Sequence, residues 1–219
     1  MDNAIIFDMD GTLVDTEHLH QSAYLEVMRS RGLDVANDFS SFIGTNSRET
    51  VTGLLKNSGH AVHESIIDNI LAEKSIKYKS IALSDATLFP GTIEVLETFK
   101  SSGFKLAIGT SGSRETVSMI MNKFQLSNYL DTFACMSDVA RGKPNPDIFL
   151  KASERLGVSP ENCVVIEDSK NGILAAKAAG MRVIAVATSF PKEQLGHADL
   201  VINHISELTP SIVESVLHG

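Results

Sequence analysis

Ala4-Ile5-Ile6-Phe7-Asp8-Met9-Asp10-Gly11-Thr12 runs four apolar residues straight into two carboxylates that flank one residue. A short apolar run without polar alternation reads as a strand buried on both faces, as parallel strands are. A carboxylate at the C-terminal edge of such a strand points into the crevice where open α/β sheets bind ligands. Alternation along an extended chain sends Asp8 and Asp10 to the same side, and Gly11 gives the backbone freedom to leave the sheet. Taken alone, Asp10-Gly11 is equally an ordinary turn with Asp8 as its hydrogen-bonding partner.

A second acidic pair occupies the same kind of junction. Glu167-Asp168 follows the apolar run Cys163-Val164-Val165-Ile166 and precedes Ser169-Lys170-Asn171-Gly172 and an alanine-rich helix. If the two strands are neighbours, up to four anionic groups crowd one sheet edge. Like charges ~4 Å apart repel by ~4 kcal/mol at an effective dielectric of about 20, so the cluster must be neutralised. Protonation with raised pKa values would do it; a hard divalent cation does it better at neutral pH, and oxygen-only ligands point to Mg²⁺.

A third strand, Lys105 to Gly109, ends in Thr110-Ser111-Gly112-Ser113, where small hydroxyls and free N–H groups ahead of a helix can cradle an anion. One of these serines can also be a plain helix cap. Arg141-Gly142-Lys143-Pro144-Asn145-Pro146-Asp147 places a lysine in a loop stiffened by two prolines, a fixed counter-charge for a phosphoryl group.

Together these four motifs, in this order and spread over nearly the whole chain, closely resemble the haloacid dehalogenase superfamily of phosphoryl-transfer enzymes. The resemblance implies an aspartyl-phosphate intermediate on Asp8, with Asp10 as general acid and base. It implies Mg²⁺ held by Asp8, the backbone carbonyl of Asp10 and Asp168, with Glu167 adjoining. Thr110, with Ser111 and Gly112 beside it, would bind the phosphoryl oxygens, and Lys143 would stabilise the charged intermediate. The second acid, Asp10, argues against the dehalogenase branch.

Between the first two motifs the chain changes to helical periodicity. Leu19, Ala23 and Val27, beside Tyr24 and Met28, predict an amphipathic helix to about Gly32, and Ile66, Ile67, Ile70 and Leu71 predict another. No strand signal interrupts Thr16 to about Ser84, and an insertion here looks like the helical cap of the β-phosphoglucomutase-like branch. The expected organisation is a doubly wound, mainly parallel, Rossmann-like α/β core over residues 1–15 and 85–219, with a helical cap over 16–84. Helices are expected up to Phe99 and over Ser113–Phe124, Asp147–Leu156 and Asn171–Ala179, with strands over Arg182–Val186 and Leu200–Asn203. Hinges would lie near Val14-Asp15-Thr16 and Ser84-Asp85.

Within the cap, Phe42 to Glu49 forms a turn entering a helix, and Gly44 and Arg48 are candidate substrate contacts, Arg48 through its planar fork; an exposed first-turn arginine is the plain alternative. His20 matches a histidine that often follows the first motif in this branch, where it would position substrate or support Asp10; packing on the helix surface is the plain alternative. His18 and His20, two apart, face different sides of a helix, which argues against zinc.

The chain has 219 residues, 43% of them apolar, a net charge of −8 and two cysteines. This acidity, without a basic run, disfavours nucleic acid. Two cysteines make no disulfide framework and point to a reducing cytosol, and no apolar span of membrane-crossing length is present. The expected partner is a small phosphorylated metabolite, bound by a monomer or weak oligomer without nucleic acid or membrane. The favoured reading is a Mg²⁺-dependent phosphatase acting on a small phosphate monoester, such as a sugar phosphate. β-Phosphoglucomutase activity is the first rival. Ser113-Arg114 stands where mutases usually carry lysine-asparagine, which favours hydrolysis; Lys77 and Lys79 bracket the place expected for a mutase cap lysine, with Tyr78 nearest it. A receiver-type signalling module would share the acids, Mg²⁺ and lysine but not the inserted cap.

Overall fold

Alternation along β1 (Ala4–Phe7), buried throughout, sets the layers of the molecule. Ile5 and Phe7 enter one hydrophobic core, while Ala4 and Ile6 enter another on the opposite face. The split recurs in the strand Cys163–Glu167, where Val164 and Ile166 share the first core and Cys163 and Val165 the second. These features belong to a computed structural model that describes residues 3–219. Met1 and Asp2, where the expected core segment begins, lie outside the described residues.

Six strands form the main sheet: β1, β4 (Lys105–Gly109), β5 (Thr132–Ala134), β6 (Cys163–Glu167), β7 (Arg182–Val186) and β8 (Leu200–Ile202). Their order is β5-β4-β1-β6-β7-β8 and every pairing is parallel. Helices α4 (Thr92–Ser101), α5 (Arg114–Lys123) and α8 (Pro210–His218) supply Leu96, Phe99, Ile120 and Val213 to the first core. From the other face, α6 (Asp147–Leu156) and α7 (Lys170–Ala178) supply Ile148, Phe149 and Ile173 to the second. Each such side chain contributes ~1.5–3 kcal/mol through burial. The fold is a doubly wound α/β sheet. From β1 the chain winds out to β4 and β5, returns to β6 on the far side of β1, and winds outward again. The crevice at the C-terminal ends of β1 and β6 is therefore the point of reversal, where such sheets bind ligands.

The helical insertion leaves and re-enters through a two-stranded antiparallel ribbon, β2 (Val14–Asp15) against β3 (Thr87–Leu88). Between them lie α1 (Glu17–Ser30), α2 (Ser47–Asn57) and α3 (Glu64–Asp85). These helices bury their own cluster, including Tyr24, Met28, Leu54, Leu55 and Ile70. Leu19, Ala23, Tyr78 and Ala82 of the same helices join the first core of the sheet, so the insertion is seated on it. No helix among the described residues is long and apolar enough to cross a membrane.

Candidate active site

Register brings the acids together. Phe7 lies opposite Ile166, and the Asp8 N–H continues the ladder by donating to the Ile166 carbonyl at 2.8 Å. Asp8 and Glu167, each one residue further on, consequently emerge side by side. One carboxylate oxygen from each of Asp8, Glu167 and Asp168 lies within 4.8 Å of the others, and all three residues are buried. Lys143, only 1% exposed, donates from Nζ to Asp8 Oδ1 at 2.5 Å and to Glu167 Oε1 at 2.8 Å. The other Glu167 oxygen accepts the Ser169 N–H at 2.5 Å. Asp168 Oδ1 accepts from the Thr12 hydroxyl at 3.0 Å, while its Oδ2 is buried with no partner among the described residues. Gly11, at φ +83°, passes so close that a Cβ there would strike Asp168 Oδ2.

One ammonium among three carboxylates leaves the cluster under-neutralised. Burial, only partly offset by Lys143 and reinforced by Glu167 and Asp10, pushes Asp8 up to about 7. Burial and the charges of Glu167 and Asp8 push Asp168 up as well. Burial works against the Lys143 charge, but Asp8 and Glu167 outweigh it and hold the ammonium protonated. The orphaned Asp168 oxygen and the all-oxygen donor set fit a hard divalent cation such as Mg²⁺.

Asp10 faces the same cavity but has different partners. Its Oδ1 accepts from Thr16 at 2.5 Å and from Tyr78 at 3.4 Å, and lies 3.2 Å from His20 Nε2. Lys74 Nζ donates to His20 Nδ1 at 2.7 Å, which leaves the His20 proton on Nε2, directed at Asp10. His20 stacks on Tyr78 with centroids 3.8 Å apart, and Lys74 lies 4.4 Å from the Tyr24 ring centroid. Burial pushes the Asp10 carboxyl up, but His20, Thr16 and Lys74 together hold it below its ordinary value. Burial brings Lys74 down to about 8 against the pull of Asp10 and Glu17. Burial and the Lys74 charge lower His20.

Asp8, Asp10, Thr110, Ser111, Gly112 and Asp168 line one cavity from the sheet edge; His20, Gly44, Glu17 and Gln21 line it from the insertion. Thr110 Oγ1 accepts the Gly112 N–H at 3.0 Å, and Ser113 caps α5. Ser111 donates to the Gly44 carbonyl at 2.9 Å and Asn171 to the Ile43 carbonyl at 3.0 Å, fastening the insertion over the edge.

Arg48, a candidate substrate contact, sits elsewhere in this structure. It does not line the cavity, because the first turn of α2 directs its guanidinium to Glu64, at 2.6 Å, and to Asp68 on α3. Lys77 turns out to Glu26 at 2.6 Å, and the lysine that reaches the site is Lys74. Sequence reading missed it, although its buried companions Ile67, Ile70, Tyr78 and Ala82 mark one face of α3, and a lysine on an apolar stripe is a signal. Glu17 and Asn171 were missed for want of any such pattern.

The sequence profile of the haloacid dehalogenase-like hydrolases matches residues 5–186. The chain belongs to that family. It is 35% identical to the phosphorylated carbohydrates phosphatase of Thermotoga maritima, covering 98% of this chain and 97% of that protein. It is 31% identical to hexitol phosphatase B of Escherichia coli K12, covering 94% of each. The crystal structure of β-phosphoglucomutase from Clostridium difficile superposes with a TM-score of 0.87 at 28% identity, covering 99% of this chain and 97% of that one. This member of the family is thus a phosphoryl-transfer enzyme.

Proposed function

We propose that the protein is a Mg²⁺-dependent phosphatase that hydrolyses a small phosphate monoester, of the sugar-phosphate class, through an aspartyl phosphate on Asp8. The observation that carries this reading is Asp8 itself, held by Lys143 at the cavity floor beside an unpartnered Asp168 oxygen. The names of the relatives, which act on phosphorylated carbohydrates and hexitol phosphates, support the substrate class.

Asp8, Asp168 and the Asp10 backbone carbonyl would hold Mg²⁺, with Glu167 adjoining. Bound Mg²⁺ supplies positive charge that lets a carboxylate approach an anionic phosphate. In the first half-reaction an Asp8 oxygen bonds to phosphorus as the ester P–O bond breaks, and the departing alkoxide takes a proton from Asp10. In the second, Asp10 takes a proton from water, whose oxygen bonds to phosphorus as the bond to Asp8 breaks. Inorganic phosphate leaves and both aspartates are restored. The His20 and Thr16 contacts keep Asp10 anionic and ready for the second half; for the first it must gain a proton, which the approaching phosphate charge favours. Lys143 offsets charge on Asp8, and the Thr110 hydroxyl, whose oxygen is held by the Gly112 N–H, orients the phosphoryl oxygens together with the Ser111 N–H. Residues 16–84 act as a cap that excludes water once seated.

Hydrolysis is favoured over mutase transfer because both arginines suited to a second phosphate are engaged elsewhere, Arg48 by Glu64 and Asp68 and Arg114 by Asp138. The test is a phosphate-release screen over sugar and polyol phosphates, with Mg²⁺ and with chelator, for the wild type and Asp8→Asn. Release that needs Mg²⁺ and disappears in Asp8→Asn is expected. Conversion of β-glucose 1-phosphate to glucose 6-phosphate faster than phosphate release would replace phosphatase by mutase.

A further inference from the structure

Glu17 and Gln21 lie one turn apart on α1, and both line the cavity. On a helix such positions bring their Cβ atoms to about 5–6 Å, a spacing that two hydroxyls of one extended polyol can span. Both side chains are half-buried, and neither has a hydrogen-bond partner among the described residues. The neighbouring polar side chains are engaged: Asp8 with Lys143, Asp10 with Thr16, and His20 with Lys74. Glu17 is not simply a solvated first-turn acid, because burial and the charges of Asp10 and Asp8 push its carboxyl up to about 8. A polar group turned into a cavity and left unpaired is costly until a ligand pairs it.

Resting on the phosphatase reading above, we propose that Glu17 and Gln21 form a hydroxyl-reading pair that holds the alcohol portion of the substrate and selects polyhydroxylated phosphate esters. The pairing works in either protonation state: a carboxylate accepts from a hydroxyl, a carboxylic acid also donates, and the Gln21 carboxamide does both. The sheet edge, by contrast, contacts the phosphoryl group common to all esters.

The test compares kcat/KM for sorbitol 6-phosphate with that for n-hexyl phosphate, which has the same carbon count but no free alcohol. The ratio of the two should fall at least about tenfold in Glu17→Leu and at least about threefold in Gln21→Leu, since each loses a polar contact made only by the hydroxylated ester. Glu17→Gln, which keeps a donor and an acceptor, should hold the ratio above that of Glu17→Leu. General damage to the fold lowers both esters together and leaves the ratio alone. Calorimetric titration of both esters into Asp8→Asn, with and without each second substitution, gives the same ratio from binding where turnover is too slow to measure. Smaller falls, or no recovery in Glu17→Gln, overturn the pair. Phosphate release from n-hexyl phosphate that Asp8→Asn abolishes upholds the phosphatase reading whatever the ratio does.

Discussion

Two surfaces meet across the cavity, and they treat their polar groups differently. On the sheet edge Asp8, Lys143 and Glu167 close on one another, each buried and hydrogen-bonded, with a single Asp168 oxygen left over. On the insertion, Lys74 and His20 form a chain toward Asp10, while Glu17 and Gln21 have no hydrogen bond among the described residues. The closed side is assembled by the register of β1 and β6, with Lys143 brought from the loop before α6, and is in place before any ligand arrives, as charge stabilisation in phosphoryl transfer requires. The open side belongs to helices that have their own core, and its free groups face the cavity, where the proposal places the alcohol attached to the phosphate. On the proposed reading, one surface handles what every substrate shares and the other what distinguishes them.

Breaking the closed side should have the largest effect. Lys143→Met leaves Asp8 and Glu167 buried together without their cation, and removal of one partner from such a cluster costs roughly 3–5 kcal/mol. For a chain of this size that lowers Tm by more than about 6 °C, read by calorimetry, and phosphate release should be lost. Adding Glu167→Gln removes one of the stranded charges and should recover part of the Tm without restoring turnover.

The insertion side should respond through activity more than stability. Lys74→Met removes the donor that fixes the His20 tautomer, so kcat/KM should fall at least about tenfold, or about 1.4 kcal/mol. Lys77→Met, three residues on but paired outward with Glu26, should change it less than about threefold.

That pair of lysines marks the limit of what the sequence discloses. The sheet was legible because β1 and β6 are unbroken apolar runs whose acids follow at once, and their register then fixes the site. The helices of the insertion were legible as elements, but their phase was not. Ile67, Ile70, Lys74, Tyr78 and Ala82 share the buried face of α3; the stripe carries a signal for Lys74, but the neighbouring Lys77 and Lys79 blur it until packing against α1 fixes the phase. The ribbon of β2 and β3 and the edge strand β5 are two or three residues long, too short for any periodicity. Helix α8 was not among the expected elements. Helices α1 and α7 end within about two residues of expectation, as chain-end fraying allows.

A pH series on the metal-free protein probes the crowding of acids directly. Asp8 is raised to about 7, Glu17 to about 8, and Asp168 is raised too, whereas in the unfolded chain all three ionise near 4. From about pH 6.5 to 8 the folded state thus holds more protons than the unfolded state, so stability falls as pH rises through that window. His20, lowered by burial and Lys74, acts in the opposite direction, but only below about pH 6.5, where the unfolded imidazole takes up its proton; Lys74, brought down to about 8, opposes the trend only as pH nears 8, and Glu17, raised to about 8, offsets it there. With chelator present Tm should drop across the window by at least about 2–4 °C, the shift expected for 1 kcal/mol. Saturating Mg²⁺ should raise Tm most at the alkaline end, where it binds a fully ionised cluster. A Tm that rises across the window in chelator would mean the acids are not crowded.

Arg48→Ala carries the smallest expected effect and the sharpest contrast with sequence reading. An arginine at the start of α2, four residues after Gly44, is chemically suited to grip a phosphate. In the folded chain both of its terminal nitrogens are committed to Glu64 and Asp68, residues 16 and 20 positions further along on α3. The pair is exposed, and screening makes such contacts weak contributors to stability. Removal of Arg48 should therefore leave kcat/KM for the preferred ester within about threefold of wild type. Glu64→Gln with Asp68→Asn should likewise have little effect, unless the freed guanidinium swings toward Gly44. If Arg48→Ala alone lowered kcat/KM more than tenfold, the arginine would have to leave its partners during turnover, and the insertion would contribute a phosphate contact beside the proposed hydroxyl contacts.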